Sequence, residues 1–233
     1  MQPIAGLILS VRDRIRMAEK RFSRPENSVR LLAVSKTRTP GEIAEAFAAG
    51  QDAFGESYLQ EALEKQRVLR KLDIEWHFIG RIQSNKTRSI AENFDWVHSV
   101  DGAKKLQRIN DQRPATLPPI KVCLQIKIDR EESKGGADLR ETKALLDLAN
   151  DLPNLQVEGL MTLPAPSDTL ELQRIPFRQL RELRDRLATP ERPLKTLSIG
   201  MSADVEAAIA EGATIVRVGT AIFGPRNPVA RQP

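Results

Sequence analysis

Short runs rich in apolar and β-branched residues alternate along this chain with longer stretches whose apolar positions recur every three to four residues. The first pattern suits strands, whose side chains alternate between two faces, and the second suits amphipathic helices. The runs that predict strands are Val29–Ser35, Asp52–Glu56, Glu75–Ile79 and Trp96–Val100, followed by Ile120–Ile126, Leu155–Met161, Thr196–Gly200 and Ile215–Gly219. A leading amphipathic helix is expected over about residues 4–21, and helical stretches separate the strands at 40–50, 58–72, 85–94, 102–113, 139–151, 170–187 and 203–212. Strand–helix alternation of this kind builds a parallel sheet. Eight strands favour closure into a (β/α)8 TIM barrel over an open doubly wound sheet, with the barrel running over about residues 29–226. Pro176 falls inside the sixth inter-strand helix and is expected to kink or divide it. Gly50 and Gly212 stand where a helix ends and suit a left-handed residue there.

With 233 residues the chain is long enough to bury one sizeable core, so a single domain over 1–233 is expected. No interdomain linker, repeat or low-complexity tract interrupts the pattern. The apolar runs fall short of a membrane span, and the leading segment meets arginine by Arg12, so it reads as a helix and not a signal peptide. The one cysteine, Cys123, has no partner for an internal disulfide, which fits a cytoplasmic protein. One cysteine with His77 and His98 makes no zinc-type ligand spacing, so no metal is expected. A net charge of +5 invites a nucleic-acid partner. The basic residues, however, are interspersed with Glu and Asp along the helices, without a basic block or interleaved aromatics. Solvated helix faces are the reading that follows.

Barrels collect their chemistry at the carboxyl ends of the strands, with phosphate often bound after the last two. The first strand ends in AVSK, which puts Lys36 at that rim. Partial desolvation there lowers a lysine pKa and frees the amine for attack on an aldehyde, although a solvent-facing lysine at a strand end has the same pattern. After the seventh strand Ser202 resembles an N-cap, with backbone N–H groups nearby that suit an anion. After the eighth, Gly219 permits close approach of a phosphate and Thr220 adds a hydroxyl. Arg217 shares a strand face with Gly219. Buried there, it needs acceptors, supplied by a pyridine nitrogen or by a carboxylate inside the barrel.

These segments also resemble a known family. AVSKTRTPGEI, AFGESYLQEALEK, WHFIGRIQSNK, VHSVD, LQIKIDREESKGG, GLMTL and LSIGMSADVEAAIAEGATIVRVGTAIFG, in order over about residues 29–226, look like the pyridoxal phosphate homeostasis proteins. The resemblance implies the barrel of fold-type III pyridoxal-phosphate proteins, with pyridoxal 5'-phosphate held as an internal aldimine on Lys36. It also implies that Ser202, Gly219 and Thr220 take the phosphate and that Arg217 faces the pyridine nitrogen. One position departs from the pattern: the usual FGEN reads Phe54-Gly55-Glu56-Ser57 here, and serine is too short to copy every contact of asparagine. His77 and Gln83 flank the end of the third strand, where an imidazole suits a proton shuttle or a structural role. Met161 suits packing on a pyridine face or plain core filling. Lys134 with Gly135 and Gly136 forms a polar loop after the fifth strand.

Arginine at a pyridine nitrogen disfavours a second positive charge on the ring and so weakens its electron sink. The resemblance adds that fold-type III racemases carry a further β domain, for which this chain has no residues to spare. The expectation is a monomeric cofactor carrier, with apo forms of pyridoxal-phosphate enzymes as its acceptors. Its competitor is an amino-acid racemase of the same fold, which would need a second acid or base facing Lys36. Tyr58, the one tyrosine, opens the second inter-strand helix and is a poor candidate.

Overall fold

The structure, a computed structural model, describes residues 3–128 and 135–225. The strands are β1 (Arg30–Val34), β2 (Ala53–Glu56), β3 (Glu75–Phe78), β4 (Trp96–Val100), β5 (Ile120–Gln125), β6 (Leu155–Met161), β7 (Thr196–Ser198) and β8 (Ile215–Val218). They pair in chain order, all parallel, and β8 closes on β1 with Leu32 opposite Arg217. The helices are α1 (Ile4–Arg21), α2 (Pro40–Ala48), α3 (Leu59–Val68), α4 (Thr87–Asn93), α5 (Ala103–Gln112), α6 (Thr142–Ala149), α7 (Leu170–Leu187), α8 (Val205–Ala210) and α9 (Thr220–Phe223). No described helix is long and apolar enough to cross a membrane.

Two apolar regions follow from the period-two alternation of the strands. Outward residues such as Phe54, Phe78 and Val97 join Phe94, which follows α4, and Leu106 and Phe177 from the helices in the larger core. Inward residues Leu32, Ala53, Trp96, Cys123, Met161 and Ile215 fill the bore as a smaller cluster. The bore is therefore packed with side chains, and an active site has room only at its rim.

α1 lies against α2, α8 and α9, across the seam where the first and last strands meet. Its buried stripe is Ile8, Val11, Ile15 and Ala18, at helical spacing. Each of the three larger side chains contributes roughly 1.5–3 kcal/mol by leaving water. The end of α1 is also pinned by buried Glu19, whose carboxylate accepts from the Val29 N–H (2.9 Å) just before β1.

The structure alters some sequence expectations. Pro176 does not divide α7, which runs unbroken through it. Pro176 lacks the N–H that would reach Leu172, but that turn is solvent-exposed, where water can take the bond. Ser202 is not the N-cap of α8: it sits in a turn, and Asp204 precedes the helix. The short α9 follows β8 where no helix was expected. Gly50 and Gly212 do take left-handed conformations, with φ of 84° and 94°. Lys134 and the expected barrel end at residue 226 lie outside the described residues.

Candidate functional site

Lys36 follows β1 by two residues, in a turn at the carboxyl end of the barrel, and is half-buried. By strand parity it continues the inward series Leu32 and Val34. The turn is clamped from outside the bore. Fully buried Glu56, at the end of β2, accepts from Ser35 Oγ (2.6 Å) and from Lys65 Nζ of α3 (2.8 Å). The same ammonium donates to the Ser35 carbonyl (2.8 Å) and to Glu61. Glu61 in turn accepts from the Thr37 N–H (2.6 Å). The peptide groups on both sides of Lys36 are thus held by one buried cluster. Thr37 adopts φ 64°, costly for a β-branched residue, and its buried hydroxyl has no partner among the described residues. Burial raises the Glu56 carboxyl above its ordinary value, against the pull of Lys65 and Ser35.

The turns after β7 and β8 adjoin this rim. Gly219 lies against β1: a Cβ there would stand 3.1 Å from the Val34 carbonyl oxygen and 3.3 Å from Val34 Cβ. That contact is two residues from Lys36. Gly219 has an ordinary negative φ of −115°, so close approach to β1, not a left-handed backbone, favours glycine here. Thr220 opens α9 and is exposed. Ser202 is half-buried in the β7–α8 turn, and its carbonyl accepts from Arg14 of α1 (2.7 Å). Gly200 has φ 91°, and a Cβ on it would stand 2.6 Å from Ala208 Cβ. Its carbonyl accepts from the Arg217 N–H (2.9 Å), which ties the turn after β7 to β8.

Arg217 is buried inside the barrel below these turns. Its guanidinium donates to the Ser198 carbonyl, to Ser198 Oγ (2.7 Å) and to the Thr162 carbonyl (3.0 Å). Among the described residues no carboxylate lies within ion-pair distance of it, so a carboxylate partner inside the barrel is not what holds it. Burial lowers its pKa to about 10, which leaves it charged at neutral pH. Met161 is fully enclosed in the bore cluster, next to Thr162. Ser57 follows Glu56 at the rim and is half-buried. Its backbone supports the turn after β3, since a Cβ on Gly80 would stand 2.1 Å from the Ser57 carbonyl oxygen.

Lys36, Ser57, Gly219 and Thr220 thus belong to one end of the barrel, with Ser202 beside them and Arg217 and Met161 below. His77 does not flank the end of its strand as expected; it lies in mid-strand, fully buried in the bore. Gln83 is exposed on a short 3-10 turn. Sequence reasoning passed over the Ser35–Glu56–Glu61–Lys65 cluster and the residues His98 and Ser198, which bond to each other. A signal existed for the latter: in WVHSV, His98 shares the inward parity of Trp96. A surface cleft of about 340 Å³ at the amino ends of β6 and β7, lined by Leu155, Glu158, Arg192 and Lys195 among others, is at the other end of the barrel.

Comparison with known proteins bears on this constellation. The family described as alanine racemase, N-terminal domain, matches residues 9–227. A pyridoxal phosphate homeostasis protein from Pseudomonas aeruginosa is 52% identical over 227 residues, covering 97% of both chains. Another from Escherichia coli is 47% identical over 230 residues, covering 97% of this chain and 98% of its own. Among solved structures, PipY of Synechococcus elongatus is 38% identical and covers 95% of this chain and 100% of its own. Its TM-score is 0.84 without PLP and 0.82 with PLP bound. An alanine racemase from Corynebacterium glutamicum shares the fold at 20% identity and a TM-score of 0.66, with 99% of this chain matched to 62% of the racemase.

Proposed function

Because the chain belongs to the pyridoxal phosphate homeostasis protein family, we propose that it holds pyridoxal 5'-phosphate through a Schiff-base linkage to Lys36 and keeps that cofactor available to the cell instead of using it in fast catalysis. The observation that carries this reading is the contact of Gly219 with Val34, which sets the β8 turn two residues from Lys36 while Arg217 lies below both. It gains support from PipY, whose structure is described with PLP bound.

When bound, the cofactor supplies an electrophilic aldehyde and a ring able to withdraw electrons. The residues at the rim fit such a molecule. Arg217 has more N–H donors than Ser198 and Thr162 accept, and the exposed Thr220 hydroxyl is free to meet solvent or an anion. In this reading Ser202, Gly219 and Thr220 hold the phosphate, Arg217 faces the pyridine nitrogen, and Met161 packs beneath the ring. Ser57 stands near the ring hydroxyl, with a shorter reach than asparagine. The clamp from Lys65, Glu56 and Glu61 fixes the backbone around Lys36, so the turn that carries the amine has little backbone freedom to lose on binding. Arg217 keeps its own charge and opposes protonation of a nitrogen beside it. That favours retention of the cofactor over carbanion chemistry. The reading includes a cytoplasmic monomer that passes the cofactor to apo enzymes.

Borohydride reduction of the protein loaded with pyridoxal 5'-phosphate, followed by peptide mapping, tests the linkage. A pyridoxyl group on Lys36, with an absorption band near about 420 nm that is absent from Lys36→Ala, is the expected result. A label on another lysine, or none, overturns it. Racemisation of alanine or serine at about one turnover per second or faster would make the protein a racemase instead of a carrier.

A further inference from the structure

A continuous line of hydrogen bonds runs through the packed bore behind Arg217. Glu75 opens β3 at the amino end of the barrel and is partly exposed. Its Oε1 lies 2.6 Å from His77 Nε2, His77 Nδ1 lies 2.8 Å from His98 Nε2, and His98 Nδ1 lies 2.8 Å from Ser198 Oγ. Ser198 Oγ accepts from Arg217 Nη1 at 2.7 Å. His77, His98, Ser198 and Arg217 are all buried. The step from His98 to Ser198 crosses the bore from β4 to β7, strands that are not neighbours.

The two end groups fix the direction of every bond. Arginine only donates and an ionised carboxylate only accepts. Ser198 Oγ therefore receives from Arg217 and gives its own proton to His98 Nδ1. His98 then carries hydrogen on Nε2 and donates to His77 Nδ1, and His77 carries hydrogen on Nε2 and donates to Glu75. The opposite tautomers would give Ser198 two donors, leave its hydroxyl proton unpartnered, and turn a lone pair of His77 onto a carboxylate.

At the Arg217 end of the line the nearby carboxylate is Asp204 of the β7–α8 turn, which favours the guanidinium charge without bonding to it. Glu75 meets Arg30 of β1 (2.5 Å) and Lys121 of β5 (3.9 Å) as well as His77. Burial alone would raise its carboxyl, but the bond to His77 and these cations bring it down to about 2. Burial lowers His77, against Glu75 and with Arg30 opposing and Asp95 aiding its charge. Burial also lowers His98, with the nearby His77 and Arg217 adding to the effect. Both rings are thus neutral at pH 7, as the bonding pattern requires.

From this geometry we infer that Glu75, His77, His98 and Ser198 are positioning residues, and that Glu75 acts as the remote counter-charge of Arg217 through the neutral rings between them. Each dipole in the line points its acceptor end toward the guanidinium, so the carboxylate at the floor strengthens the hold on a cation near the mouth. This rests on the cofactor reading above, because the side chain it orients is the one assigned to the pyridine nitrogen.

Two measurements test it. The first needs no cofactor: nitrogen-15 NMR of the imidazoles in the ligand-free protein at pH 7 should show both rings neutral with hydrogen on Nε2. A ring charged or protonated on Nδ1 overturns the line. The second measures the affinity and the pH-dependent absorption of bound pyridoxal 5'-phosphate in Glu75→Gln, Ser198→Ala and the double variant. Glu75→Gln should weaken binding at least threefold and shift the spectral titration in the wild-type background, yet change affinity less than twofold once Ser198→Ala has cut the line. Equal effects in both backgrounds, or none in either, overturn it. Should Ser198→Ala not fold, His98→Asn serves as the cut. If wild-type protein takes up no cofactor at all, the proposed function fails, while the imidazole spectra still decide the line.

Discussion

Gly159 of β6 shows how much one absent methyl group can matter in a closed barrel. A Cβ on it would stand 1.8 Å from the Thr196 carbonyl oxygen of β7, and the register between β5 and β6 shifts just before it, with Val122 opposite Val157 but Cys123 opposite Gly159. The extra residue in β6 brings its backbone close to the next strand, as bulges do. Nothing flexible can yield there, since the clash is with backbone. Gly159→Ala should therefore cost at least about 3 kcal/mol, at the upper end of overpacking penalties, in a urea unfolding curve of the purified variant. A loss under about 1 kcal/mol would show that the strands can separate cheaply. Gly50 and Gly212 were legible in the sequence because helix ends have a local signature. Gly159 and Gly80 were not, because what they avoid lies on another strand or turn.

At the scale of elements, the clamp joins the ends of β1 and β2 to α3. Lys65 lies on α3 and Glu56 on β2, and both are buried. Removing one member strands the other in a low-dielectric site, which costs about 3–5 kcal/mol, whereas removing both together costs much less. Lys65→Met is expected to lose stability in that range in thermal or urea unfolding and to slow attachment of the cofactor at Lys36. The double variant Glu56→Leu/Lys65→Met should recover most of the stability but not the attachment rate, because the Ser35 carbonyl loses its donor and Glu61, which holds the Thr37 N–H, loses the ammonium that orients it. Additive losses in the double variant would show that the two side chains do not act as a pair. The helical pattern of α3 was readable from its sequence. That Lys65 turns inward was not, since a lysine in a charged helix ordinarily points to water.

For the whole molecule, two buried neutral histidines make stability depend on pH. Both rings have folded-state pKa values below the ordinary 6.5 because of burial, so the unfolded chain binds more protons as the medium is acidified. Their contribution is complete above about pH 6.5 and is lost as the pH falls below it, by at most about 1.4 kcal/mol per pH unit for each ring. Glu75, held at about 2, adds a further loss between its unfolded value of 4.5 and that point. Urea midpoints should thus fall steadily from pH 7 to pH 5, and replacing His98 should flatten the profile. A midpoint constant over that interval would contradict burial of the rings.

The sequence by itself determined the order of the eight strands and the helices between them, the preference for a parallel barrel, the family, and the rim position of Lys36, Gly219 and Thr220. Each of these follows from local periodicity or from contiguous motifs. Tertiary structure alone decided that Asp204 and not Ser202 precedes α8, that Arg217 is satisfied by carbonyls and a hydroxyl instead of a carboxylate, and that His77 and His98 face one another across neighbouring strands. It also decided that Glu56 and Lys65 meet. The physical reason is common to all of them: strand parity tells which way a side chain points, but only closure of the barrel fixes what stands opposite it.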